Sequence, residues 1–348
     1  MIKMVVYTVV ILTVLVFLHE LGHFIAAKTS GVKVNKFAIG MGPAFWKKQK
    51  GETEYSVRIF PIGGFCSMEG EDEESDDARS FTKKSAPVRA KILVAGSFMN
   101  LLTAIVIMLG IFIYTGMPTT VIGTVSDGGM AELAGIKPGD KIVAVDGNRV
   151  REWKDFAKFL STSDTETVDI NVLRNGDEMI FTTATVERDG RKIIGVTSKL
   201  TRNPFKASVY AVKSTADMGK FMYAVLGQLV SGEVSAKELS GPVGIAYVVN
   251  DSASMGLQYV FYIMALISLN LAIVNMLPLP ALDGGRLLFL ITQRLHAAAN
   301  HHVKRRRIDD ANRHGAEPKR VRDSLGDGIG LDVDEVSREE RSRIQLGA

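Results

Sequence analysis

The sequence predicts a multi-pass α-helical membrane protein with a polar domain inserted between its spans. Three observations lead there. Hydrophobic residues make up 46% of the 348 although 23% are charged, the mixture produced when apolar segments alternate with polar domains. Three runs are long and apolar enough to cross a bilayer. Basic residues gather at one end of those runs, which sets an orientation.

The first run, Met4 to Ala27, passes through "HELGH" without the small-residue cleavage site that closes a secretory leader. Residues 1–28 are therefore expected as a retained membrane helix. The second run, Ile92 to Gly116, has no charge and predicts a span over 91–116. The third, Tyr259 to Pro280, is uncharged but holds Asn270 and Asn275. With the helical pattern "GGRLLFLITQRL" behind it, it predicts membrane structure over 258–295. A fourth candidate, Val209 to Val230, carries Lys213, Asp217 and Lys220. Those charges favour an interfacial amphipathic helix, so 201–257 is expected at the membrane surface. Residues 296–348 hold "KRRRIDD" and "EVSREERSR" and are expected to be disordered or weakly helical.

Lys28, Lys33 and Lys36 follow the first span, and Lys83, Lys84, Arg89 and Lys91 precede the second. By the positive-inside rule the loop 29–90 is cytoplasmic, and the stretch from about residue 117 to the third span lies outside. Net charge is only +4, without the clustered basic face that nucleic acid requires. The single cysteine, Cys66, excludes an internal disulfide framework.

"AGIKPGDKIVAVDGNRV" (Ala134 to Val150) gives a Pro-Gly turn, an alternating strand and a "DGN" turn. "WKDFAKFL" (Trp153 to Leu160) reads as a helix. Thr167 to Val186 reads as two strands around "RNGD". This order, over 117–200, resembles a PDZ domain of the bacterial protease type, an α+β module.

His19-Glu20-Leu21-Gly22-His23 is HExxH. On a helix, positions i and i+4 share a face, so both imidazoles reach one ion. A chance match is less expected inside a span, where Glu and His are penalised. Zinc used for hydrolysis takes three protein ligands and one open position. Glu20 is placed to take a proton from the activated water and deliver it to the leaving amine. The third ligand is expected at Asp283, in "NMLPLPALDGG" (Asn275 to Gly285), where Pro278 and Pro280 break the helix. Such backbone at membrane depth is tolerated where it is buried or lines a wet cavity. Alone, Asp283 would read as a helix N-cap; with HExxH in the first span it reads as a ligand. One zinc per chain follows.

HExxH in a first span, an inserted PDZ-like domain and N-x-x-P-x-P-x-L-D-G-G in a later span together resemble the site-2 protease family. The likeness is to the regulator-of-sigma-E protease branch with a single PDZ domain, and covers about residues 1–295. It implies an intramembrane zinc endopeptidase in the bacterial inner membrane, with the PDZ domain extracytoplasmic. It implies substrates that are single-span membrane proteins, such as anti-sigma factors already cut by a site-1 protease, or signal-peptide remnants. Asn275 then matches an asparagine that faces substrate.

"KFAIGMGPAFWKK" and "TEYSVRIFPIGGFCSMEG" read by themselves as short cytoplasmic strands. The resemblance implies a membrane-associated β-hairpin, with Gly40 and Gly42 at the substrate. "ELSGPVGIAYVV" (Glu238 to Val249) resembles the family's membrane-surface segment. Ser97 in "AGSFMN" stands where the family has proline, and the last membrane helix usual in the family has no counterpart in 296–348. The competing reading is a catalytically silent membrane scaffold that binds protein tails through the PDZ domain. Retention of both HExxH and Asp283 argues against it.

Overall fold

Three apolar helices carry the architecture. In the computed structural model, which describes residues 2–188, 190–233 and 242–296, these are α1 (Ile2–Thr29), α2 (Ala86–Thr115) and a later helix, Leu257–Asn275. All three are long and apolar enough to cross a membrane. The tail from residue 297 and residues 234–241 of the expected surface segment lie outside the described residues. α2 starts earlier than the apolar run predicts, because Pro87 is suited to a first helical turn. α1 and α2 approach closely through small residues. A Cβ on Gly22 would lie 2.3 Å from the Ala95 carbonyl oxygen. Small residues let helix backbones meet where no hydrophobic drive between helices exists.

Between α1 and α2 the chain folds into one long antiparallel hairpin, β1 (Val34–Lys50) and β2 (Thr53–Met68). It is longer than the short strands expected from alternation alone. Repeated register shifts, with Gly40, Gly42 and Gly63 at positive φ, carry the pairing through bends that would otherwise end it. Phe37 of β1 stacks against Phe17 and Phe24 of α1, at centroid distances of 5.8 and 4.9 Å. The Thr13 hydroxyl donates to the Pro61 carbonyl, six residues and about 9 Å up the helix from His19. The hairpin therefore climbs α1 alongside the HExxH turn. At its base Glu69 accepts bonds from Ser75 (2.6 Å), Lys33 (2.9 Å) and Asn35 (3.0 Å). They hold its carboxyl down at about 2.

The inserted domain runs from β3 (Met117–Val125) through α3 (Met130–Leu133), β4 (Lys141–Val145), β5 (Asn148–Arg149), α4 (Trp153–Thr162), β6 (Thr167–Arg174), β7 (Asp177–Ala184), β8 (Val186–Arg188) and β9 (Arg191–Ile193) to β10 (Val196–Thr201). The main sheet has the order β10-β3-β4-β6-β7. Strand, helix and strand pair lie where the sequence predicts them. On β6, Val168, Ile170 and Val172 alternate inward to meet Ile122, Ile142, Val145 and Phe156. Asn175 and Gly176 both take positive φ, as a two-residue hairpin turn demands. Asp140 is buried and accepts two bonds from Arg174, each 2.7 Å.

From the domain, α5 (Pro204–Ser231) starts at an Asn203 cap whose side chain accepts from the Lys206 amide. Its Ala211, Met218, Met222 and Leu226 pack with Ala104 and Met108 of α2 and with Leu269. Two exposed ion pairs, Lys213–Glu152 and Lys154–Asp217, tie α5 to the start of α4. α6 (Pro242–Met255) follows, and then α7 (Leu257–Asn275). The helix breaks after Asn275, as the prolines predict, and helical structure resumes over 283–296.

Candidate metal centre and active site

The HExxH turn lies near the C-terminal end of α1, with helix spacing placing His19 and His23 on one face. Both are buried, with 8% and 6% of their surface exposed. Their rings meet edge to face and their Nε2 atoms are 3.2 Å apart. Asp283, from the broken segment after α7, puts Oδ2 at 3.2 Å from His19 Nε2 and 3.3 Å from His23 Nε2. Oδ2 is buried yet takes no aligned hydrogen bond.

That triangle is what an ion needs. A tetrahedral zinc with bonds of about 2.0–2.1 Å holds its ligand atoms about 3.3–3.4 Å apart. The three ligand atoms are therefore spaced as three corners of a zinc tetrahedron, and the donor set of two imidazoles and a carboxylate suits zinc. Space for it is made by α2. A Cβ on Gly96 would fall 2.2 Å from His23 Nε2 and 2.7 Å from His19 Cε1, so only glycine leaves the imidazoles where they are.

The segment that delivers Asp283 is sharply folded. Gly284 packs so closely that a Cβ would lie 2.4 Å from the carbonyl oxygens of Met276 and Leu277. Ala281 takes a φ of 69°, a conformation that residues with a Cβ adopt rarely. Asn275, the last residue of α7, brings Nδ2 to 3.4 Å from His19 Nε2. It stands beside the two histidines and Asp283.

Glu20 points from the same turn toward β2. The backbone of Cys66 lies beside its carboxylate, and a Cβ on Gly64 would come within 3.6 Å of its Cγ. The hairpin thus forms one wall beside the candidate acid/base. Cys66 is buried, and burial pushes its thiol up, out of the reactive range. Gly40 and Gly42 have Phe60 of β2 as their near neighbour. A Cβ there would meet the Phe60 carbonyl oxygen at 2.5 Å and its ring at 2.7 Å, respectively. They shape the hairpin's own bend.

Three contributors are invisible to motif reading. The Ile92 carbonyl accepts from His23 Nδ1–H at 2.9 Å. Gly96 makes room for the rings. Asn100, wholly buried, places its side-chain amide 3.3 Å from His19 Nδ1. The available signal was their spacing in "ILVAGSFMN": positions 92, 96 and 100 fall on one face of α2.

The chain is similar to known zinc metalloproteases. The family model described as peptidase family M50 matches residues 7–308. A protein of Clostridium acetobutylicum named as a zinc metalloprotease is 36% identical over 284 residues, covering 80% of this chain and 84% of its own length. The regulator of sigma-W protease RasP of Bacillus subtilis is 30% identical over 373 residues, covering 82% of this chain and 88% of its own. The zinc metalloprotease RasP of Geobacillus kaustophilus is 30% identical over 366 residues, covering 81% and 87%.

Proposed function

Because this chain belongs to peptidase family M50, we propose that its zinc metalloprotease chemistry is directed at peptide bonds inside the membrane segments of single-span proteins. One observation carries the reading: the mutual 3.2–3.3 Å spacing of the His19, His23 and Asp283 ligand atoms on and beside helices long and apolar enough to cross a membrane.

His19, His23 and Asp283 hold one zinc per chain. Zinc, when bound, activates a water near neutral pH and polarises the scissile carbonyl. Glu20 takes the proton from the attacking water and returns it to the leaving amine. Asn275, next to His19 Nε2, offers its amide to the substrate backbone. A substrate helix must first unwind, because its amides are spent in its own hydrogen bonds. The hairpin β1–β2, bent at Gly40 and Gly42, supplies an edge that holds the opened segment by strand addition.

Met41, Phe45, Trp46, Ile59, Phe60 and Ile62 are exposed on that hairpin. So contiguous an apolar surface favours a hairpin dipped into the bilayer. The basic flanks favour residues 29–90 inside, the domain of residues 117–200 outside as a PDZ module, and a multi-pass protein of the bacterial cell membrane. The relative's name, regulator of sigma-W protease, supports a substrate tied to sigma-factor control, and the class proposed is anti-sigma factors already cut by a site-1 protease.

The test is zinc stoichiometry and cleavage of a reconstituted single-span substrate, with Glu20→Gln beside wild type. Glutamine keeps the shape of the side chain but cannot accept the proton. Zinc should stay at one per chain while turnover falls by about 10²–10⁴-fold. Near-normal turnover in Glu20→Gln, or a wild-type chain without zinc, would refute the reading.

A further inference from the structure

Asn100 presents an unsolved pairing. Its side chain has no solvent exposure. Its Nδ2 faces His19 Nδ1 at 3.3 Å, while its Oδ1 is buried with no hydrogen-bond partner. Orphaned buried acceptors are uncommon and costly. Amide oxygen and nitrogen are interchangeable in position, so the histidine decides which of them faces it.

As placed, the amide would donate to a bare Nδ1, and a neutral His19 would then carry its proton on Nε2. Yet Nε2 is the atom aimed at Asp283 and His23. A metal ligand needs a bare Nε2 and hence a proton on Nδ1. Turning the amide about its last bond brings Oδ1 to His19 Nδ1–H and moves Nδ2 to the place where Oδ1 had no partner, so it is the bare Nε2 that a metal ligand needs, and not the count of satisfied atoms, that selects the turned amide. His23 already has this arrangement, since a backbone carbonyl can only accept and Ile92 O lies 2.9 Å from His23 Nδ1. Both histidines are then backed from the same helix, α2, two turns apart at residues 92 and 100. The backbone at Asn100 is itself held from outside: the buried Ser268 hydroxyl of α7 donates to the Asn100 backbone carbonyl oxygen at 2.8 Å.

We infer that Asn100 is a positioning residue for the metal centre, its Oδ1 accepting from His19 Nδ1–H and holding that imidazole in the tautomer that presents Nε2 to zinc. The inference rests on the zinc reading above and deepens it. Through Ser268 it also links the third membrane helix to a ligand on the first.

The experiment is chelator competition for zinc in the full-length detergent-purified chain, comparing wild type, His19→Ala, Asn100→Leu and Asn100→Asp. Loss of such a partner to a metal-bound histidine costs about 10–100-fold in metal affinity. Asn100→Leu, of similar size but with no acceptor, should weaken zinc by that factor. Asn100→Asp, which keeps an acceptor oxygen, should stay within a few-fold of wild type. A merely structural role would not divide the two variants in this way. Zinc binding unchanged in His19→Ala would sink the metal reading itself. Loss in His19→Ala with Asn100→Leu at wild-type affinity, or with Leu and Asp equally weakened, would overturn only the role of Asn100.

Discussion

Gly96 of α2 sits so close under His23 that a Cβ there would lie 2.2 Å from the ring's Nε2. The relationship makes glycine part of the metal centre although it contributes no ligand. In Gly96→Ala both imidazoles must shift by an ångström or more, since a helix backbone cannot retreat from one methyl. Misplacement on that scale can cost about 10²-fold. Zinc affinity and cleavage should both fall by at least that much, while the protein still purifies as a folded chain. Gly22→Ala should behave differently. Its Cβ would strike the Ala95 carbonyl at 2.3 Å, backbone against backbone, so the α1–α2 pair itself should loosen and melting in detergent should drop. Normal zinc affinity in Gly96→Ala would show that the rings have room that the geometry denies them.

The legible parts of this protein are those governed by local rules. HExxH states its own helix face. The proline pair after Asn275 announces a broken span, and alternation in "VDINV" marks Val168, Ile170 and Val172 as inward. The hairpin was less legible. Alternation over Lys36–Lys48 and Thr53–Gly70 gives strands, but only the register shifts at glycines show that they pair along their length. Least legible were Gly96 and Asn100, because their importance comes from what α1 places against them. A lone Asn in an apolar helix reads as a packing polar group until His19 is found 3.3 Å away. The spacing at 92, 96 and 100 shows a shared face of α2, but nothing in it says which helix that face meets.

Sidedness can be read with two cysteines. Asn148 lies in the exposed β5 of the inserted domain and Asp76 in the exposed loop before α2. Cys66 is buried and will not compete for reagent. An impermeant thiol reagent added to intact cells should label Asn148→Cys and spare Asp76→Cys, with the pattern inverted in inside-out vesicles. The expectation comes from basic flanks and not from apolar length. Labelling of both positions from one side would require a different threading of α1 and α2.

Asp140 predicts how the inserted domain responds to acid. Burial alone would raise its carboxyl, but bonds from Arg174 and from the Lys137 amide outweigh that and hold it below its ordinary value. A group whose folded value is depressed stabilises above its unfolded value, here about 3.9, and that stability is lost as pH falls through the folded value. Arg174→Ala leaves the carboxylate buried without its partner. Breaking such a pair costs about 3 kcal/mol. The variant should show faster hydrogen exchange at β4 and β6 in the full-length protein at neutral pH. The part of the acid response that Asp140 carries should also shrink, because burial without the guanidinium no longer holds its carboxyl low and protonating it no longer costs the folded domain. Unchanged exchange at these strands would mean that Arg174 does not brace the core.

The inserted domain should govern access and take no part in the chemistry. If it lies outside and the HExxH turn lies toward the inner end of α1, much of the bilayer's roughly 30 Å of hydrocarbon separates them. No side chain of the domain could then touch the scissile bond. Its attachment suits a gate. The Lys213–Glu152 and Lys154–Asp217 pairs tie α4 to α5, and α5 packs on α2 and α7, so the domain's position is set by the same helices that frame the metal centre. The domain can also be removed cleanly. Met117 of β3 and Thr201 of β10 are register partners, neighbours across one strand pair, so a few glycines can join them in place of residues 118–200. The deleted form should keep one zinc per chain. It should also cleave an untrimmed substrate with a bulky outer domain that the full-length enzyme ignores, while cutting a pre-trimmed substrate at a similar rate. Failure on the pre-trimmed substrate, with zinc and folding intact, would replace the gate with a delivery role in which the domain captures the newly exposed terminus.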